Sequence, residues 1–168
     1  MLGCMKTVFR SLLYLALAVW VGAEIFLPIV AAVTFGTLRP DTHLAGAVVG
    51  TLLRILHGTG LVSGTVALAL LALSSAWNIY KPQWVLAPMI LLVLMIAATV
   101  YSQYGIVPAM ERDRLAAGGA IDTRDPANPS TADFNRLHGR SETVEGAVLL
   151  LGIATVVLVA RAESEKAG

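Results

Sequence analysis

The chain has 168 residues, of which 57% are hydrophobic and only 14% charged, and its mean hydropathy is +0.75. A water-soluble domain carries roughly a quarter of its residues as charges, so this composition excludes an ordinary soluble fold. The net charge of +1 provides no basic face for nucleic acid, and the single cysteine, Cys4, rules out an intrachain disulfide or a thiolate metal cluster.

Four apolar stretches account for the hydrophobicity, at about 11–38, 44–77, 84–107 and 138–160. Each is at least as long as the ~20 residues needed to cross ~30 Å of hydrocarbon. Only helices and closed barrels satisfy their own backbone in lipid, and none of the four shows the two-residue alternation of barrel strands. The expected fold is therefore all-α. It is a single transmembrane domain, an up-down-up-down four-helix bundle with one long loop between helices three and four.

Lys6 and Arg10 precede the first stretch, and Val21, Gly22 and Ala23 look like a signal-peptide cleavage site. Hydrophobicity resumes right after Glu24 and runs on to Phe35, so an uncleaved helix is the expectation. Helices one and two are joined by Arg39, Pro40, Asp41, Thr42 and His43; residues 78–83 join two and three, with Pro82 read as a stop after helix two. Both links are short enough to force antiparallel neighbours.

The polar loop covers about 111–136. Glu111, Arg112, Asp113 and Arg114 continue helix three, Gly118 and Gly119 follow, and Asp125, Pro126, Ala127, Asn128, Pro129 and Ser130 read as turn and coil. Lys6, Arg10, Lys81, Arg161 and Lys166 fall on one membrane side. Arg39, Arg112, Arg114, Arg124, Arg136 and Arg140 fall on the other. The two sides are too evenly matched for the positive-inside rule to decide, and Lys6 and Arg10 alone favour cytoplasmic termini in a bacterial inner membrane.

Polar residues within the spans carry the functional information. Helix one holds Glu24 near its middle, one turn before Pro28. Helix two holds Arg54 and His57, three residues apart. Helix three ends with Tyr101, Gln103 and Tyr104, and helix four opens with His138, Arg140, Glu142 and Glu145. Antiparallel threading puts all of these in the half facing the long loop, with Glu24 deeper. A carboxylate in hydrocarbon costs at least a few kcal/mol, so Glu24 should face the bundle and pair with Arg54 or a neighbouring helix. His138, Glu142 and Glu145 form one stripe of helix four. With His57 and Glu24 they compose a set of nitrogen and oxygen donors suited to a transition metal. The same residues read equally as helix-packing contacts.

Small residues on helix two, Gly46 with Gly50 and Gly60 with Gly64, are spaced for close approach of another helix backbone, and Gly58 and Gly60 flank His57. Trp77, Tyr80 and Trp84 read as an aromatic belt at the opposite interface. There is no nucleophile with an adjacent base, no phosphate loop and no nucleotide motif, so no enzymatic activity is expected.

Several of these residues also form motifs. Trp20, Val21 and Gly22, then Glu24 and Phe26, lead helix one. Arg54, Ile55, Leu56 and His57 lie on helix two. Tyr104, Pro108, Met110 and Glu111 leave helix three, and Phe134, His138 and Ser141 enter helix four. In this order they resemble the transmembrane-protein-205-like family, small four-helix membrane proteins treated as a domain of unknown function. The resemblance implies the same fold and marks the two histidines; the family pattern accepts glutamine at the Glu24 position. The architecture is also similar to copper-resistance D-type membrane domains.

Two functional classes are open. One is metal-ion or small-solute handling, including transport, through His57, His138, Glu24, Glu142 and Glu145. The other is a non-catalytic membrane subunit or scaffold. A b-type haem between His57 and His138 ranks below both. The expected partners are the lipid bilayer and either further copies of the chain or another membrane protein, with no nucleic acid.

Overall fold

A computed structural model of the chain describes residues 2–39, 41–119 and 128–164. All its regular elements are helical: α1 (Leu2–Thr37), α2 (Thr42–Ala76), α3 (Pro82–Tyr101), a π-helical turn (Ser102–Ile106), α4 (Val107–Ala116) and α5 (Pro129–Ser164). The elements α3, π-turn and α4 form one continuous rod. This gives four helices long and apolar enough to cross a membrane. They pack as a ring in which α1 touches α2, α2 touches α3, α3 touches α5 and α5 returns to α1, while α4 leans on α5. This is the four-helix membrane bundle expected from composition. Arg124, Lys166, Pro40 and the expected coil residues 125–127 lie outside the described residues.

The helices are longer than their apolar stretches, and local chemistry explains several of their ends. Asp41 caps α2, its carboxylate accepting the Leu44 N–H at 2.8 Å. At the other end Asn78 takes φ 50°, and the N–H groups of Asn78 and Ile79 close back on the carbonyls of Ser75 and Ser74. That pattern is a Schellman stop with asparagine in the left-handed position. Pro82 is thus not what ends α2, as the sequence suggested, but the first residue of α3, where its missing N–H costs nothing. Gly118 and Gly119, both at φ 92°, terminate α4 in the same way, bonding back to Leu115 and Arg114. Asn128 starts α5 by accepting the Ser130 N–H at 2.9 Å. Pro129 and Ser130 are consequently helix rather than coil, and α5 begins well before His138.

The π-turn has a local cause. Pro108 cannot donate to the Tyr104 carbonyl, and its ring would crowd that carbonyl in a regular helix. One extra residue in the turn relieves the clash, and the Val107 N–H reaches back to Ser102.

Exposed Leu15, Val62, Leu86, Leu150 and Val157, all near 60% accessible, face outward as lipid contacts. Arg161 sits over the Trp84 ring at 5.6 Å and Arg140 over Tyr101 at 5.5 Å. The two arginines are about 20 residues apart on α5, or roughly 30 Å, which is the thickness of the hydrocarbon. The helices therefore project beyond the loop-side interface. Trp77 is exposed as a belt residue should be, but Tyr80 is buried, and its hydroxyl donates to Glu163 at 2.6 Å. Burial and the neighbouring carboxylate push the Tyr80 phenol above its ordinary range.

The two halves of the bundle differ. Towards the termini Leu13, Leu17, Leu71, Leu92 and Val159 pack without solvent contact. Midway, Trp20 lays its indole across Gly60 and Gly64, so this glycine pair receives a side chain and not the helix backbone that its spacing suggested. A β-carbon at either glycine would overlap the ring, whereas one at Gly58 meets nothing. Overpacking typically costs about 1–3 kcal/mol. Gly64→Ala should therefore lower the melting temperature in detergent, Gly58→Ala should leave it unchanged, and adding Trp20→Leu to Gly64→Ala should restore part of the loss. Equal melting of the two single variants would contradict this packing.

Candidate functional site

The polar residues in the loop-side half gather around His57, which is fully buried. Its Nδ1 lies 2.8 Å from Gln103 Oε1 and its Nε2 lies 3.0 Å from Glu145 Oε1. Ser102 donates to the same Glu145 oxygen at 2.7 Å. The π-turn makes this geometry possible, because its extra residue lets both Ser102 and Gln103 turn towards the bundle interior. Glu24 is 4% exposed and accepts the Trp20 Nε1–H at 3.2 Å. It lies within electrostatic range of both Glu145 and His57. The reason is the Trp20 contact with Gly60 and Gly64, which sets the register of α1 against α2.

Above this floor a cavity of about 570 Å³ opens between α1, α2, α4 and α5. Its walls follow helical spacing: Leu27, Ala31 and Phe35 on α1, Gly46, Gly50 and Leu53 on α2, Val107 and Met110 on α4, Phe134, Ser141 and Leu149 on α5. Glu24 and Glu145 form its inner end, and Arg54, Glu111, Arg114, His138 and Glu142 lie nearer the loop. Arg114, only 7% exposed, clasps the outer end. It donates twice to Glu111 (2.7 and 2.9 Å), to the Gly119 carbonyl (3.2 Å) and to His43 Nδ1 (2.6 Å), tying α4 to the start of α2. The glycine stop after α4 is what brings the Gly119 carbonyl back to Arg114.

One expectation about a single residue needs correcting. Glu24 pairs with Trp20 on its own helix and not with Arg54, whose electrostatic neighbour is Glu111.

The proposed ligand set His57, His138, Glu24, Glu142 and Glu145 does not form one centre. His138 and Glu142 are more than half exposed and pair with each other at 3.3 Å, with the His138 ring stacked on Phe134. Glu145 lies two turns beyond His138 along α5, roughly 10 Å away, whereas metal–nitrogen and metal–oxygen bonds are about 2 Å. Both His57 nitrogens already lie within hydrogen-bonding distance of a neighbour, Gln103 on one side and Glu145 on the other. Among the described residues no three His, Cys, Asp or Glu side chains are grouped to hold a metal ion. The same separation keeps His57 and His138 from sharing a haem iron.

Sequence reading passed over Ser102, His43 and Arg114 as site residues, and named Gln103 without giving it a partner. The available signal was a pair of adjacent polar residues, Ser102 and Gln103, closing an otherwise apolar run just before Pro108. By contrast, several of the motif residues come together. Arg54, Met110, Glu111, Phe134, His138 and Ser141 all line the cavity, and Trp20 holds Glu24. Tyr104 and Pro108 remain on the exposed side of the rod, and Gly22 faces open space.

The fold and site define an integral membrane protein, a four-span bundle with an acid-floored apolar cavity towards the long loop. The chain belongs to the family described as Domain of unknown function (DUF4149), which it matches over residues 15–116. That match takes in the greater part of the first span and the whole of the second and third, with Glu24, His57, Gln103 and Arg114; α5 and its Glu145 lie beyond it. No curated protein and no solved structure matches the chain.

The two histidines should respond differently to removal. His57→Ala leaves Gln103 without its imidazole partner and Glu145 with Ser102 alone in a buried setting, a change that typically costs about 3 kcal/mol. His138→Ala removes an exposed pair worth less than about 1 kcal/mol. Thermal melts in detergent should show a large drop for the first variant and almost none for the second. Similar drops would mean that His138 is part of the buried network.

Proposed function

We propose that this protein is a non-enzymatic membrane protein that binds a small amphipathic solute in the loop-side cavity and holds or passes it there. One observation carries the reading, namely the cavity itself. Its volume is in the range that accommodates drug-sized ligands, and it combines mostly apolar walls with a few convergent polar groups, as small-molecule sites do. Of the metal-or-solute pair, the solute half is the one the geometry supports.

The likeness to the transmembrane-protein-205-like family supports the same reading, because seven of the residues that carry it line this cavity, from Glu24 on the first span to Ser141 on the last; we propose that relationship as well. We further propose cytoplasmic termini, on the strength of Lys6 and Arg10, so that the cavity opens on the opposite side. Under the competing scaffold reading, the His57 network would serve only to fix helix packing and the cavity would be incidental.

Gly50 and Gly146 line the cavity, and a β-carbon at either meets nothing within 4 Å. Gly50→Phe and Gly146→Phe should therefore fill the space without disturbing the bundle. A set of three probes with one skeleton, phenylbutylamine, phenylbutanol and phenylbutyrate, can be titrated against the detergent-solubilised protein. Specific binding raises the melting temperature, and at a hundredfold excess over Kd it adds about 2.7 kcal/mol of stability. At least one probe should stabilise the parent, and neither filled variant should respond. Absence of any shift in the parent, or equal shifts in the filled variants, would favour the scaffold.

A further inference from the structure

We infer that the solute is an organic cation, an apolar body ending in a protonated amine, with its ammonium group at Glu24 and Glu145. The inference rests on the solute-binding reading and adds the chemical class.

The donors and acceptors at the inner end of the cavity are unequal. The N–H of Trp20 is engaged by Glu24 Oε1, the hydroxyl of Ser102 by Glu145 Oε1, and both His57 nitrogens by Glu145 and Gln103. What remains is acceptor capacity. Glu145 Oε2 is buried and has no hydrogen-bond partner among the described residues, and the hydrogen bond to Glu24 occupies only its Oε1. Two carboxylates share one imidazole. A group entering this end thus meets oxygen lone pairs and surplus negative charge. An ammonium supplies three donors and one positive charge, which is the complement of that surface.

Other solute classes fit less well. An anionic head placed at the inner end would face two carboxylates. An anionic head placed near Arg54 would drive its apolar tail onto those same carboxylates and leave them desolvated without a partner. The charges nearer the loop are largely paired already, Arg114 with Glu111 and His138 with Glu142, so they offer little net field to hold an anion. Leu27, Ala31, Leu53 and Leu149 line the path between, and they suit an alkyl or aryl body.

The three probes share one skeleton and differ in head charge, so their relative affinities test the class directly. Phenylbutylamine should bind the parent at least about tenfold more tightly than phenylbutanol, and phenylbutyrate should be the weakest. Glu145→Gln should lower the amine affinity by about tenfold or more while leaving phenylbutanol unchanged. Glu24→Gln should act in the same direction and provides a second route should Glu145→Gln disturb the His57 network. Equal affinity for all three probes overturns the inference, as does tightest binding of phenylbutyrate, which would instead place an anionic head at Arg54. Amine binding unaltered in both glutamine variants also overturns it. These outcomes differ from failure of the underlying reading, in which no probe binds the parent or the filled variants bind as well as the parent.

Discussion

His57 ties three of the four spans together, and the loop-side half of the bundle is organised around it. Its imidazole comes from α2, Ser102 and Gln103 from the π-turn of the third span, and Glu145 from α5. Near hydrocarbon an unsatisfied polar group costs several kcal/mol, so these side chains must find one another. Glu24 completes the group from α1, held by the indole above Gly60 and Gly64. Trp20 therefore has two roles: its ring face sets the spacing of α1 and α2, and its N–H positions the carboxylate.

The cavity follows from the same constraints. The π-turn carries the third span into α4, which leans on α5 and leaves room between that pair and α1 with α2. At the outer end the Arg114 clasp bridges the gap through Glu111, the Gly119 carbonyl and His43. The space is thus bounded by polar groups at both ends and walled by apolar side chains between. A bundle made of uniform apolar helices would have collapsed this volume, since interiors pack densely where nothing prevents it. Here two glycines, Gly50 and Gly146, also leave it unfilled.

The contrast between the two histidines shows how depth separates structure from surface chemistry. His57 and His138 both belong to motifs and both lie towards the long loop. His57 is enclosed and doubly bonded; His138 is a wall residue near the water, stacked on Phe134 and paired with a neighbour one turn away. Joining them into one metal centre needed α5 to begin near His138, with its stripe facing His57 at a single level. The start of α5 at Pro129 places His138 well inside a helix that projects past the lipid, and only Glu145 on that stripe reaches His57.

The amino-acid sequence by itself determined the number of spans, their helical character and the crowding of polar groups in one half. Those follow from hydropathy, from the backbone's need for internal hydrogen bonds in lipid, and from antiparallel threading through short links. It did not determine which face of each helix looks inward. In a soluble helix, water marks the outer face with polar residues; in this chain the lipid-facing and bundle-facing sides are both apolar, so periodicity carries little signal. The partner of Glu24, the indole seated on Gly60 and Gly64, the separation of His57 from His138 and the cavity itself were therefore decided by the tertiary structure. The extra residue before Pro108 turned Ser102 and Gln103 inward, and the helix stops at Asn78 and Gly118 fixed where each rod ended. Hydropathy registers neither effect, because both act through backbone geometry and not through burial.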